Sequence, residues 1–252
     1  MYSLKCGELE IKYNESNTSS SVLWENHCHS RFELIAVLDG DVNVMLEGWS
    51  YRLKPDQCII IPPLSYHSVT VNDGCDYRRV TALFPLDSVP DVLRSELASD
   101  TAGAVFYSSH IERLRTVVQA NSPTFYEPLA KSLMVEIFYD MLAAKRNGTK
   151  PDKDDFLQRA VLYIDQHLGQ RISLDDLARQ TSRSKSSFCH LFEEKMNISP
   201  KQYILRKKLA TARKLIAEGT PPTVAAMQVG YENYSNFYRQ YTKHYGTAPT
   251  KR

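Results

Sequence analysis

The sequence predicts a multidomain α+β protein: an N-terminal all-β barrel, a helical segment behind it, and a C-terminal all-α block. Three observations carry this. Short apolar–polar alternations broken by turn residues fill the stretch from Leu9 to Phe84, and many short strands at such spacing make a barrel or sandwich. After Pro90 the apolar residues recur at the helical period. The charge also changes sign: residues 1–146 hold 13 Lys+Arg against 19 Asp+Glu, residues 147–252 hold 18 against 10, and the net of +2 hides the split. The boundaries expected are 1–88 for the barrel, 89–146 for the helical segment, 147–154 for a linker and 155–252 for the basic block.

Phe32–Leu38 reads as a buried strand, closed by Asp39-Gly40, a turn pair that tolerates positive φ. Val42, Val44 and Leu46 alternate with polar residues up to the turn at Glu47-Gly48. Tyr51–Leu53, Cys58–Ile61, Ser68–Val71 and Arg79–Phe84 continue the series, with Lys54-Pro55-Asp56 and Asn72-Asp73-Gly74 as breakers.

Asp91–Leu97, His110–Gln119 and Glu127–Lys145 have helical spacing. In the last, Leu129, Leu133, Ile137 and Met141 fall four apart, flanked by Met134, Phe138 and Leu142. So wide an apolar face packs on the barrel and, beyond what the barrel covers, predicts a dimer contact. Residues 145–152, KRNGTKPD, are polar with Gly and Pro, as a linker is.

The basic block carries legible caps. A helix through Phe156, Ala160, Val161, Ile164 and Leu168 ends at Gly169. Ser173 and Asp176 have capping-box spacing, Ser184 precedes a helix with Phe188, Leu191 and Phe192, and Ser199-Pro200 is a cap followed by Pro at the first helical position. Thr220-Pro221 repeats that start, Gly230 closes a short helix, and Tyr234 to Tyr245 forms the last one.

This block repeats at an offset of 49: Ser186-Ser187-Phe188 matches Ser235-Asn236-Phe237, Phe192 matches Tyr241, and Pro200 matches Pro249. Each copy is a short helix, a tight turn and a second amphipathic helix, the helix-turn-helix plan, in which the second helix enters the major groove of DNA. With Phe188, Leu191 and Phe192 buried, Lys185, Ser186, Cys189 and His190 project outward in the first copy. With Phe237 and Tyr241 buried, Tyr234, Ser235, Tyr238 and Arg239 do so in the second, and Arg239 suits bidentate pairing with guanine. Lys195, Arg206, Lys207, Lys208 and Lys243 are placed for phosphates, which fix position without reading sequence.

The stretches ISLDDLARQTSRSKSSFCHLFEEKMNISPKQYILRKKLATARKLI and TPPTVAAMQVGYENYSNFYRQYTKHYGTAPTKR resemble the AraC/XylS family of bacterial transcription regulators. The resemblance covers roughly residues 155–252. It implies seven helices, two of them recognition helices entering successive major grooves on one DNA face. Ser182 stands where the family often has Gly, Arg183 where it often has an apolar residue, and Lys208 where Arg is usual. Arg252 comes where the family's final short helix would begin, and the first recognition helix lacks the Arg many members carry.

Residues 27–40, HCHSRFELIAVLDG, read His-x-His-x3-Glu-x6-Gly and resemble the first cupin motif; Pro62-Pro63-Leu64-Ser65-Tyr66-His67 resembles the second, with Leu64 in place of the usual Gly. His27 and His29 flank Cys28 and so share one strand face. With His67 and Glu33 they make three imidazoles and a carboxylate, a set that suits Zn, Ni, Mn or Fe with open positions. The same groups suit hydrogen bonding to an organic effector without metal. Glu33 directly precedes the apolar run, which leaves open that it points away.

Five cysteines, an odd number without CxxC spacing, argue for thiols in a reducing cytoplasm and against a disulfide framework or zinc finger. The start, MYSLKCGELE, lacks a secretory signal, and no run approaches a membrane span. The expectation is a cytoplasmic, homodimeric, cupin-like sensor on a tandem helix-turn-helix: a regulator of transcription, activator or repressor, that binds double-stranded DNA under control of a small molecule. The resemblance makes a sugar or sugar derivative the default effector and RNA polymerase a further partner. The rival is a cupin metalloenzyme with a helical tail, which the repeat and the basic block disfavour because catalysis needs neither. A third is a ligand-independent DNA-binding protein whose barrel serves only to dimerise.

Overall fold

A computed structural model describes residues 1–17, 22–23, 27–72, 76–98, 105–120, 122–146 and 155–250. They form two compact units, Met1–Asp152 and Lys153–Arg252. The expected linker, 147–154, and the Asp73-Gly74 turn lie outside the described residues.

The first unit holds β1 (Tyr2–Cys6), β2 (Leu9–Asn17), β3 (Val22–Leu23), β4 (Phe32–Asp39), β5 (Val42–Leu46), β6 (Trp49–Leu53), β7 (Gln57–Ile61), β8 (His67–Val71), β9 (Asp76–Phe84) and β10 (Val105–Tyr107). They make two antiparallel sheets, ordered β1-β2-β9-β4-β7-β10 and β3-β8-β5-β6. Alternation assigns the faces. Ile35, Val37, Ile59, Ile61 and Tyr77 of the larger sheet pack with Val42, Val44, Leu46, Val69 and Val71 of the smaller. The intervening residues Leu34, Ala36, Ile60, Val80, Ala82 and Phe84 enter a second core with the helices. Strand β4 is thus covered on both faces, which is why it reads as a nearly unbroken apolar run.

Helices α1 (Asp91–Ala98), α2 (Ile111–Ala120) and α3 (Pro123–Arg146) supply that second core. Here the structure corrects two expectations. The sheet does not end at residue 88, because β10 pairs with β7 as an edge strand. The apolar stripe of α3 is also covered within the chain: Leu133, Met134, Ile137, Phe138 and Met141 are all buried beside residues such as Phe84. It therefore supplies no argument for a dimer.

The second unit is helical: α4 (Asp155–Gln166), α5 (Leu174–Gln180), α6 (Lys185–Met196), α7 (Pro200–Ala217), α8 (Pro222–Gln228) and α9 (Tyr234–Tyr245). That is six helices among the described residues, against the seven expected. Ser173, Ser184 and Ser199 cap α5, α6 and α7, each accepting from the backbone N–H three residues on. The start of α8 differs: Pro221, not Thr220, is the N-cap, with Pro222 behind it. Pro221 has no side-chain acceptor, and Pro222 removes one of the N–H groups that would need one.

Both helix-turn-helix turns close the same way. After α5, Arg183 N–H donates to Ala178 and Ser182 N–H to Arg179; after α8, Tyr231 N–H donates to Ala226 and Gly230 N–H to Met227. These are Schellman closures through one left-handed residue, Ser182 at φ 55° and Gly230 at φ 75°. The second turn is one residue longer, since Ser184 and Asn233 are the following caps.

Candidate functional site

In the barrel unit, an isolated antiparallel bridge joins His27 to His67 through mutual backbone hydrogen bonds of 3.1 Å. The turn before His67 is tied twice more: Leu64 N–H donates to the His29 carbonyl at 2.7 Å, and Tyr66 N–H to the Glu47 carboxylate at 2.7 Å. Leu64 sits at φ 65°, in the left-handed region where the resemblance leads one to expect glycine. Glu47, whose place beside Gly48 marks it in sequence only as part of a turn, positions this segment.

The side chains converge. The ring centroids of His27 and His67 are 4.3 Å apart and those of His29 and His67 5.2 Å. One carboxylate oxygen of Glu33 lies 3.0 Å from His29 Nε2 and 2.9 Å from His67 Nε2. Glu33 therefore points into the cluster, not away from it. One potential ligand atom from each of His27, His29, Glu33 and His67 lies within 4.8 Å of the others. Burial pushes the Glu33 carboxyl up, but hydrogen bonds from His29 and His67, and the charge on those rings, hold it well below the usual carboxylate range.

The second nitrogens fix the protons. His29 Nδ1 lies 2.8 Å from the Arg31 carbonyl, and His67 Nδ1 3.0 Å from the Ser65 carbonyl. A carbonyl only accepts, so each Nδ1 carries the proton. Only a doubly protonated ring can then donate from Nε2 to Glu33 and carry the charge that holds its carboxyl low; in a neutral ring each Nε2 turns a lone pair toward an ionised carboxylate. Two arrangements remove that repulsion: a second proton on both rings, or a cation among the three atoms. Backbone carbonyls on the outer nitrogens are also how metal-binding histidines are oriented. Ligands at ~2.1 Å from one ion are about 3.0–3.4 Å apart, close to the two Glu33–Nε2 separations, and the whole set lies within a wider 4.8 Å. The residues fit a metal.

Among the cysteines, Cys6 and Cys58 are buried and Cys28 half-buried, and these with Cys189 form no disulfide. Cys75 lies outside the described residues.

In the helical unit, Lys185, Ser186 and His190 are exposed and Cys189 half-buried on α6, while Tyr234, Ser235, Tyr238 and Arg239 are exposed on α9. Phe188, Phe192, Phe237 and Tyr241 are buried beneath them. Three outward residues already have polar partners: Lys185 pairs with Asp175 at 2.9 Å, His190 Nδ1 faces the Glu194 carboxylate at 3.7 Å, and Arg239 donates to Asn236 at 3.2 Å. The Arg239 contact orients the guanidinium along the helix.

The expected phosphate contacts divide. Lys195 and Lys243 are exposed and Arg206 half-exposed. Lys207 and Lys208 are not surface cations: Lys207 is 5% exposed and pairs with Asp165 at 3.0 Å, and Lys208 is 8% exposed and donates to the Gln170 carbonyl at 2.8 Å. Helix α7 is central to its unit, so its buried face reaches lysine stems that a run of basic residues in sequence presents as surface. Arg183 keeps an apolar contact by lying 4.8 Å over the Phe156 ring. Asn233, the cap of α9, went unread, although the offset of 49 from Ser184 marks it.

Residues 15–133 match the family described as AraC-like ligand binding domain, and residues 177–251 one described as helix-turn-helix domain. The chain is similar to the "Probable transcriptional regulator LumQ" of Photobacterium leiognathi, 39% identical over 35% of this chain and 36% of that one. It is also similar to the HTH-type transcriptional regulator YobQ of Bacillus subtilis, 25% identical over 90% of this chain and 88% of that one. The melibiose operon regulatory protein of Escherichia coli is 21% identical over 89% and 82%. The chain spans about a third of LumQ and more than four-fifths of the other two. Among solved structures, ToxT from Vibrio cholerae O395 matches over 96% of both chains at 12% identity and a TM-score of 0.44. No helix among the described residues is long and apolar enough to cross a membrane.

Proposed function

The chain belongs to the AraC-type transcription regulators, a ligand-binding domain followed by a helix-turn-helix domain that binds DNA, and from that premise we propose that α6 and α9 read successive major grooves while a ligand in the barrel sets which half-sites are engaged. The observation that carries the reading is the pair of matching Schellman turns, each delivering a capped helix with a buried aromatic face and an exposed polar one. Lys185, Ser186, Cys189 and His190, then Tyr234, Ser235, Tyr238 and Arg239, are the base-reading set; Lys195, Arg206 and Lys243 meet phosphates. A ligand acts by differential affinity for two arrangements of the regulator, here a homodimer on paired half-sites.

For the effector, a sugar or sugar derivative fits the hydrogen-bonding groups of His27, His29, Glu33 and His67, and the relative named for a melibiose operon supports that class. A second reading is favoured by the two Nε2 atoms facing one carboxylate: the same four residues hold a divalent Zn, Ni, Mn or Fe ion. Such an ion would supply a Lewis-acid site for an oxygen donor. The four residues orient the donors, and the Arg31 and Ser65 carbonyls hold the rings.

Gel-shift titration of the whole chain on DNA upstream of its own gene, at several salt concentrations and with a sugar panel, tests the reading. Salt-dependent binding that Arg239→Ala weakens supports it. Absent or salt-insensitive binding sinks it.

A further inference from the structure

The helical unit carries a cleft of about 400 Å³ that neither recognition face explains. It is lined by the loop before α5, by α7, and by the turn before α9 with that helix's first two turns. Exposed Arg171 and Lys201 flank it, and buried Lys208 lines it beneath them. Glu232 is the one carboxylate among its lining residues. Neither Arg171 nor Lys201 makes an ion pair or side-chain hydrogen bond with a described residue. Lys208 donates to the Gln170 carbonyl and lies 5.9 Å from the Tyr231 ring, with no carboxylate beside it. Burial accordingly holds its pKa below that of an ordinary lysine. Asn233 and Asn236 complete the wall, and they belong to the end of α9 where the helix dipole favours an anion.

Three cations facing one acid leave an uncompensated positive cleft, and the ligand chemistry that balances it is an oxyanion. We propose that this cleft seats a phosphodiester of the DNA backbone beside the groove that α9 reads, gripped by Arg171 and Lys201 over the charge of Lys208. The proposal rests on the DNA-binding reading above and deepens it, because it places a phosphate contact outside both recognition helices. The Arg171 guanidinium can bond two phosphate oxygens at once, and Lys201 acts as a point charge. Such a contact sets how far α9 enters the groove without reading sequence.

The test measures affinity of the whole chain for a specific and an unrelated duplex across a salt series. It compares wild type, the double variant Arg171→Ala/Lys201→Ala, and Lys214→Ala, a control on α7 whose ammonium faces Glu218 at 3.8 Å. Both cleft residues are exposed, so an unchanged melting temperature is expected and reports intact folding. The double variant should lose about 0.9, the share of the one phosphate that both residues hold, from the slope of log K against log salt. Its affinity should fall by the same factor on both duplexes, and the control should match wild type. Salt-dependent binding by wild type with the slope unchanged in the double variant overturns the cleft and leaves the DNA-binding reading standing. No salt-dependent binding by wild type overturns the reading beneath it. A melting-temperature rise with inorganic phosphate that only the double variant lacks, with the DNA slope unchanged, marks the cleft as a free-anion site and also overturns the proposal.

Discussion

The ammonium of Lys208 donates to the backbone carbonyl of Gln170 at 2.8 Å, tying the middle of α7 to the loop between α4 and α5. Gly230, the left-handed residue of the second helix-turn-helix turn, lies against that lysine and against Gly169, the residue before Gln170. A Cβ built on it would come within 2.8 Å of Lys208 Nζ and of the Gly169 carbonyl carbon. One lysine and two glycines thus bring the second turn onto the loop that precedes the first helix-turn-helix.

Gly230→Ala is therefore expected to destabilise the helical unit by about 2 kcal/mol or more, because a clash with backbone adds to the strain of φ 75°. Lys208→Met keeps the stem but leaves the Gln170 carbonyl without its donor, and relief of the buried charge offsets part of that, for a loss of about 1 kcal/mol. Urea unfolding of the full chain reads both. A lysine that touched only phosphate from the surface would show no loss of stability.

Ser182 is a left-handed residue with an exposed side chain, so it gains little from packing to balance its φ of 55°. Ser182→Gly should stabilise the protein by about 0.5–1 kcal/mol, raising the melting temperature, while Ser182→Val should lower it. Leu64→Gly, at φ 65°, should change little, since its half-buried side chain contributes about as much as the strain costs. A lower melting temperature for Ser182→Gly would contradict this account of the turn.

Leu64 and Ser182 also show how far sequence alone reaches. Both stand out because a resemblance puts glycine at their positions, and both prove to need glycine's conformation. The outward faces of α6 and α9 were legible for a similar reason: Phe188, Phe192, Phe237 and Tyr241 reveal the buried side, and the rest follows at 100° per residue. Lys207 and Lys208 were not legible. Whether a basic residue on a helix is solvated depends on how many neighbours that helix has, and α7 is wrapped by others. The stripe of α3 failed likewise, because amphipathic spacing says that a face is covered but not whether the cover is its own sheet or a second chain. In the barrel, Glu33 at the edge of an apolar run gave no direction until the histidines on two sides of it were placed.

The barrel histidines predict a measurable metal response. At pH 7.5, Zn, Ni or Mn added to chelator-treated protein should raise the melting temperature, since an ion held by the native cluster and not by the unfolded chain stabilises the fold by mass action. His67→Ala and Glu33→Gln should each abolish the rise, and His27→Ala should reduce it. Elemental analysis of the purified protein checks occupancy directly. If the wild type binds none of these ions while a sugar raises its melting temperature, and His67→Ala removes that effect, the cluster is an effector site without metal.

Arg239 and Lys243 lie four residues apart on α9 and should separate reading from holding. Arg239 leaves the first half of the helix, oriented by Asn236, where a guanidinium can take both acceptors of a guanine edge. Lys243 sits in the last turn, where a flexible ammonium meets backbone rather than bases. Arg239→Ala should weaken the specific site by about 1–3 kcal/mol while barely changing binding to unrelated DNA, so that the ratio of the two affinities falls. Lys243→Ala should weaken both equally and flatten the salt slope by about 0.9. Competition binding with a specific and a scrambled duplex at two salt concentrations distinguishes them. An equal loss on both duplexes for Arg239→Ala would make Arg239 a phosphate contact, and base reading in the second groove would then rest on Tyr234, Ser235 and Tyr238.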